Sequence, residues 1–396
     1  MTADERAAWL RELVPLLWPA PTTATLGRAR HAGARRSYLI LPNLAHPRLL
    51  VPRRTRRAAG GALRGYGEQS SAARRAAVRL AAAALTAGAG DRVLRDRLEI
   101  GGGGDTIEDH LSRELGRPVL VSLHLGPARA NRKPVLQLLG ADGGTVGYAK
   151  VATTVLTGRL VADEAAALRS LAAAGLRTVT VPTVLAGGSW RGLEILVQSP
   201  LPVRQARRPA EGRLAAATAE VAAVGGISTQ PLDGPYGTGL RTRVAALPAG
   251  GARDDLTAAL DTLAEAATEL RIGSWHGDWT PWNTAVVEGT VLAWDWERFG
   301  SGVPVGFDAL HYDLQPRLPG DAAAAGQLLA GSIGWAPGLL APVGVPAESA
   351  PAVTVFYLVE ILTRWIGDGQ TRYGDWRSLT EGVLAAARVA APVAAR

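Results

Sequence analysis

Asn283 and Asp295 are the pair whose type and spacing first suggest chemistry. The stretches Thr284 to Val287 and Val291 to Trp294 are β-prone, and Glu288-Gly289-Thr290 between them reads as a three-residue hairpin connection. With Val287 opposite Val291, Asn283 falls opposite Asp295 at the open end. Opposed hairpin residues have Cβ atoms ~5 Å apart. An amide oxygen and a carboxylate converging there suit a hard cation such as Mg²⁺, which takes few protein ligands and completes its shell with phosphate and water. Asparagine is scarce, at Asn43, Asn131 and Asn283 only, so its presence here is informative. The alternative is a capped strand end with a structural aspartate.

Asp278 lies five residues before Asn283, in a segment where Pro281 bars a regular helix. A carboxylate beside such a site could take a proton from a hydroxyl and orient it. His276 has no Gly-x-Ser-x-Gly elbow to serve, and the other five histidines form no metal-ligand spacing. It therefore reads as a hydrogen-bonding residue that shapes the loop. Trp275, Trp279, Trp282, Trp294 and Trp296 crowd this region, chiefly as core.

Of 43 basic residues only Lys133 and Lys150 are lysines. A composition that favours arginine so strongly keeps lysine where a compact point charge is needed, or by chance. Lys150 ends a strand-like run on the face of Val146 and Tyr148. Glu164 follows on a helix, three residues after Val161 and four before Leu168, so it turns toward the sheet. A buried charge needs a partner, and Lys150 is the natural one. A Lys–Glu pair that aims an ammonium at phosphates is a working part of phosphoryl transfer. The plain alternative leaves Glu164 solvated at the helix rim.

The elements that must hold these groups are readable in outline. Trp9, Leu10, Leu13, Val14 and Leu17 recur at helical spacing, which predicts a helix over residues 3 to 14 that stops before Pro15; Thr2 and Glu5 fit a capping box. Ser37 to Leu41 and Arg48 to Pro52 read as strands, and Ala72 to Ala87 as a helix. Gly101 to Gly104 marks a boundary. Beyond it come a capping box at Asp105 and Glu108 and a short helix ended by Gly116. Strand-like runs follow at Pro118 to Leu125, Pro134 to Leu139, Thr145 to Val151, Val179 to Val184 and Leu193 to Val197. A helix near Arg159 to Ala174 is inserted after the third. From about Pro200 the pattern turns helical, around residues 211 to 223 and 254 to 270 and again after the motif region. The order is α+β.

A chain of 396 residues exceeds one ordinary core, and three parts are expected: residues 1–100, 105–199 and 200–396. No cysteine is present, which excludes disulfides and thiolate metal sites. The start lacks a secretory pattern, and Glu360 and Arg364 interrupt the apolar run from Ala350 to Ile366, so a cytoplasmic protein without a membrane span is expected. The net charge of +8 sits at the front, where residues 1 to 98 hold 18 arginines against 6 acidic residues. That front could face an anionic partner or be a solvated surface.

In their order, these residues resemble the aminoglycoside phosphotransferase and choline kinase group of the protein-kinase-like fold. The resemblance rests on His276-Gly277-Asp278, Asn283 five positions on, and Asp295-Trp296-Glu297 twelve further, with Lys150 and Glu164 upstream; it covers residues 105 to 390. It implies a bilobal fold, with a small five-stranded sheet lobe and a larger helical lobe, here with an extra basic N-terminal module. It implies ATP and Mg²⁺ as cofactors and a small-molecule acceptor. Asp278 would be the catalytic base, Asn283 and Asp295 the metal ligands, Lys150 the phosphate anchor and Glu164 its partner. Val197 to Leu201 looks like the hinge that meets adenine, with Gln198 and Leu201 at the nucleotide, and Asp308 would buttress the catalytic loop. This chain departs from the pattern in its nucleotide loop, Leu125 to Lys133, which holds one glycine. Arg129, Arg132 or Lys133 could contact phosphate there instead.

Two rivals follow from the same residues. One is a nucleotide-binding pseudokinase that regulates a partner, favoured by the glycine-poor loop and opposed by the intact Asp278, Asn283 and Asp295. The other is a nucleic-acid-binding protein that uses the basic front, where aromatics are sparse and stacking readout is unfavoured.

Overall fold

The computed structural model describes residues 3–28, 33–67, 72–88, 90–126, 131–203, 210–263, 269–370 and 372–394. The chain divides into two compact units, Met1–Ala165 with Pro182–Arg204, and Ala166–Val181 with Gln205–Arg396. The front of the chain forms α1 (Ala3–Leu17), β1 (Thr23–Gly27), β2 (Arg36–Leu41), β3 (Leu49–Pro52), α2 (Arg56–Gly67), α3 (Ala72–Thr86), α4 (Gly90–Val93) and β4 (Arg97–Gly101). Then come α5 (Ile107–Glu114), β5 (Leu120–His124), β6 (Val135–Leu139), β7 (Thr145–Val151), α6 (Val155–Ala174), β8 (Val179–Thr180), β9 (Val184–Trp190) and β10 (Leu193–Gln198).

In the first unit nine described strands make one sheet, in the order β1-β4-β2-β3-β5-β6-β7-β10-β9. A free-standing five-stranded sheet is therefore not what residues 105–199 form. β3 pairs with β5 through Leu49↔His124 and Leu50↔Leu123, which adds four strands from the front of the chain. The reason lies in alternation along those strands. Tyr38, Ile40 and Leu50 enter one apolar core with α1, β5 and β6, whereas Leu39, Leu49 and Val51 enter another with α2 and α3. Both faces of the added strands are buried, so only hydrogen bonding to the rest of the sheet satisfies their edge.

Two local expectations shift. The first helix continues through Pro15 to Leu17, because Leu17 and Trp18 are fully buried and their packing outweighs one lost backbone bond. The capping box before α5 belongs to Thr106 and Asp109, not to Asp105 and Glu108. Asp105 instead accepts from Trp190 Nε1 at 2.9 Å, and Glu108 is buried against the same ring atom of Trp18 at 2.9 Å. Thr2 lies outside the described residues.

The second unit contains α7 (Glu211–Ala222), β11 (Ser228–Pro231), α8 (Pro235–Ala245), α9 (Gly251–Thr262), β12 (Glu269–Trp275), β13 (Thr284–Val287), β14 (Thr290–Ala293) and β15 (Gly300–Pro304). It ends with α10 (Phe307–Arg317), α11 (Ala322–Gly331), α12 (Ala336–Leu340), α13 (Ala350–Gly367) and α14 (Arg377–Ala394). The helix expected over 254 to 270 ends at Thr262, and residues from Glu269 form a strand instead. That strand is the centre of the sheet β11-β12-β15, and β13-β14-β8 makes a second small sheet. α13 is long and apolar enough to cross a membrane by length and composition, but 78% of it is buried in this unit's core.

Candidate functional site

The hairpin β13–β14 sets the first geometry. Its pairs are Thr284↔Ala293, Ala285↔Leu292, Val286↔Val291 and Val287↔Thr290, one residue away from the expected register. The connection is Glu288-Gly289, with φ of 50° and 89°, the two positive angles of a type I′ turn. That turn matches the natural twist of two strands, which a three-residue connection does not need to do, and it decides the register. Asn283 consequently accepts from the backbone N–H of Trp294 at 3.2 Å, and Asp295 lies one position further on. Asp295 sits at φ 65°, a left-handed conformation that Asp tolerates better than most residues. It is near enough to His276 to favour the ring's protonated form.

What Asn283 does meet is Asp278. Its Nδ2 donates to Asp278 Oδ2 at 2.8 Å and to the Asp278 carbonyl at 3.0 Å. The amide oxygen is then the free end of the side chain's chemistry, an acceptor suited to a cation. The Asp278 carboxylate is 41% exposed. Burial raises its pKa, but the hydrogen bond from His311 and the charge of Arg364 outweigh that, so it stays below the ordinary range and ionised.

The loop that carries Asp278 is tied from beneath. Asp308, buried on α10, accepts from the backbone N–H groups of His276 at 2.7 Å and Gly277 at 3.1 Å. Arg364 Nη1 donates to the Gly277 carbonyl at 2.6 Å. Gly277 has φ 80°, and a Cβ there would lie 2.3 Å from the Arg298 carbonyl, so no other residue fits. His276 is fully buried; its Nδ1 accepts from the Asp278 N–H at 3.1 Å and its Nε2 faces the Trp294 carbonyl at 3.0 Å. Burial pushes its pKa down to about 4, so the ring is neutral and its tautomer is set by these two bonds. Burial pushes Asp308 up to about 7.

In the first unit Lys150 and Glu164 come together. Lys150 Nζ donates to both carboxylate oxygens, at 2.6 and 2.7 Å, and both side chains are buried. Gln198 ends β10 opposite Tyr148; it is buried and its Oε1 has no hydrogen-bond partner among the described residues. The Leu201 carbonyl accepts from Val203 at 2.9 Å. Lys133 and Arg132 are partly buried, while Arg129 lies outside the described residues. In the second unit Asp313 pairs with Arg317, Glu360 with Arg243 and Asp368 with Arg298.

His311 is the residue that motif reading missed. Its Nε2 is 3.1 Å from Asp278 Oδ1. A signal was present: His311 stands three residues after Asp308 on α10, and residues at that spacing share a helical face.

Residues 149–335 match the model of the phosphotransferase enzyme family. The match bears out the resemblance read from the motifs over the part of the chain that carries Lys150, Glu164, Asp278, Asn283 and Asp295. No curated protein matches the sequence. Among solved structures, a thermostable mutant of the aminoglycoside phosphotransferase APH(4)-Ia in its apo form is similar at 16% identity and a TM-score of 0.45, over 71% of this chain and 98% of that one. A further variant of that mutant, in ternary complex with ADP and hygromycin B, shares 16% identity over 72% and 98%, also with a TM-score of 0.45. The amicoumacin kinase hAmiN in complex with AMP-PNP, Ca²⁺ and Ami shares 12% identity over 63% and 80%, with a TM-score of 0.35.

Proposed function

We propose that this protein is an ATP- and Mg²⁺-dependent kinase that moves the γ-phosphoryl group to a hydroxyl of a small molecule of aminoglycoside, sugar or choline-like kind. The observation that carries this reading is Asp278: an ionised, half-exposed carboxylate on a loop whose backbone is bonded to a buried Asp308. A general base needs that combination of access and fixed position. The acceptor hydroxyl donates to Asp278, which orients its oxygen toward phosphorus and takes the proton as the oxygen–phosphorus bond forms and the bond from the γ-phosphorus to the departing ADP oxygen breaks.

Asn283 and Asp295 are the residues that would hold Mg²⁺. They offer hard oxygen donors, and the donation of Asn283 Nδ2 to Asp278 leaves the amide oxygen for that purpose. The ion's contribution when bound is to neutralise phosphate charge. Lys150, kept in place by Glu164, anchors the phosphates, and Lys133 adds positive charge. Gln198 and Leu201 serve the base of the nucleotide; the partnerless Gln198 Oε1 suits an exocyclic amine. Such a protein works in the cytoplasm, where ATP is held.

The test measures MgATP binding by calorimetry and ADP release across a panel of amino sugars, sugars and amino alcohols. Asp278→Ala is expected to bind MgATP as the parent does and to lose turnover by about a thousandfold. Near-normal turnover in that variant removes Asp278 from the role of base. MgATP binding with no turnover on any acceptor supports the pseudokinase reading.

A further inference from the structure

Both oxygens of the Asp278 carboxylate have neutral donors. Asn283 Nδ2 reaches Oδ2 at 2.8 Å, and His311 Nε2 reaches Oδ1 at 3.1 Å. His311 has a second partner: its Nδ1 is 2.9 Å from the Tyr357 hydroxyl on α13. Each of these two rings is 1% exposed. The proton positions follow from the chemistry of the groups. An ionised carboxylate only accepts, so Nε2 must carry the hydrogen; Nδ1 is then bare and accepts from the tyrosine. Burial lowers the pKa of His311, which keeps the ring neutral despite the adjacent carboxylate.

We infer that His311 is a positioning residue for phosphoryl transfer: Tyr357 sets its tautomer, and its Nε2–H holds the Asp278 carboxylate in the rotamer that meets the acceptor hydroxyl. The inference rests on the reading of Asp278 as base. A half-exposed carboxylate is free to turn in solvent unless something opposes it, and a displacement of about 1 Å from productive geometry costs up to about a hundredfold in rate. Asn283 alone engages one oxygen and leaves rotation about that contact. A donor on the second oxygen removes it, and each oxygen keeps a lone pair for the acceptor. The donor is rigid because a buried histidine with both nitrogens engaged has no alternative orientation. Being neutral, it adds no charge that would quench the carboxylate.

Two readouts test this. In protein labelled with ¹⁵N-histidine, long-range ¹H–¹⁵N correlation spectra at pH 7 should show His311 as the Nε2–H tautomer, and Tyr357→Phe should move it toward a mixture. A wild-type His311 that is Nδ1–H or doubly protonated overturns the inference. The second readout is ADP release from MgATP with water as acceptor. His311→Leu should lower kcat about a hundredfold with KM for MgATP within about twofold. His311→Gln, whose amide can donate from near the Nε2 position, should recover at least about tenfold of that loss. Equal rates in His311→Leu and the parent, or no recovery in His311→Gln, overturn the inference. Asp278→Asn separates the two readings. An active Asp278→Asn variant sinks the base while the tautomer still reports on the contact, whereas an inactive one beside a fully active His311→Leu sinks the positioning role alone. The spectra need no turnover, so they decide the geometry even where water is a poor acceptor.

Discussion

In the function proposed above, Lys150 and Asp278 are both charged side chains offered to phosphoryl transfer, and the two units hold them in opposite ways. Lys150 is buried and locked to one full counter-charge, with both Glu164 oxygens within 2.7 Å. Asp278 is half-exposed and held by neutral donors, the Asn283 amide and the His311 ring, on a loop tied to Asp308. The difference teaches what each task requires. An anchor for an anion can lean on a partner, because phosphate charge exceeds what one carboxylate cancels. A base must keep its own charge uncancelled, so its position has to come from groups that donate hydrogen bonds without opposing charge.

Glu164 is the position where the two arrangements should differ most. Glu164→Ala removes the carboxylate that accepts twice from the buried Lys150, and thermal or urea unfolding should show a loss of about 3–5 kcal/mol in the first unit. Asp278→Ala, by contrast, removes a half-exposed carboxylate and strands the buried His311 donor, so its loss should be smaller, about 1–2 kcal/mol. Comparable losses in both variants would erase the distinction between a locked pair and an accessible base.

The two units are expected to agree in a second respect. Burial pushes Glu108 in the first unit and Asp308 in the second up to about 7, well above the ordinary carboxyl values near 4. A raised folded-state pKa means that the native protein binds the proton more tightly than the unfolded chain. The resulting stabilisation is complete below about pH 4 and is lost as pH rises through about 7. Unfolding midpoints measured from pH 5 to 8 should fall more in the parent than in Glu108→Gln, and likewise more than in Asp308→Asn. Identical pH slopes in parent and variant would mean that the group is already ionised at pH 5.

A smaller effect sharpens the account of the hairpin. Gly289 stands at φ 89° in the two-residue turn, and Gly289→Ala should cost about 1–2 kcal/mol by denaturant titration. An unchanged midpoint would argue that the turn does not set the register that separates Asn283 from Asp295.

Much of this molecule was legible in its residues because the signals were local. The alternation in residues 36–52, the glycine-ended helix before Gly116 and the run around α6 each depend on neighbours a few positions away. The meeting of Lys150 and Glu164 was equally accessible, since one strand and one helix connect them and helical phase fixes which way Glu164 turns. The hairpin shows where local reading stops. Pattern alone permits a connection of two or three residues, and one residue of slip moved Asp295 from beside Asn283 to the next position.

By itself, then, the sequence determined the α+β order, the motif loop from His276 to Asp295 and the kind of chemistry that those side chains can perform. Only the tertiary structure decided that residues 23–101 join the same sheet as residues 120–198, and that His311, 33 positions after Asp278, bonds its carboxylate while Tyr357 bonds the far side of the same ring. The physical reason is range. Propensity and periodicity act over one or two turns of chain, whereas strand partners and buried donors are chosen by which distant surfaces exclude water together.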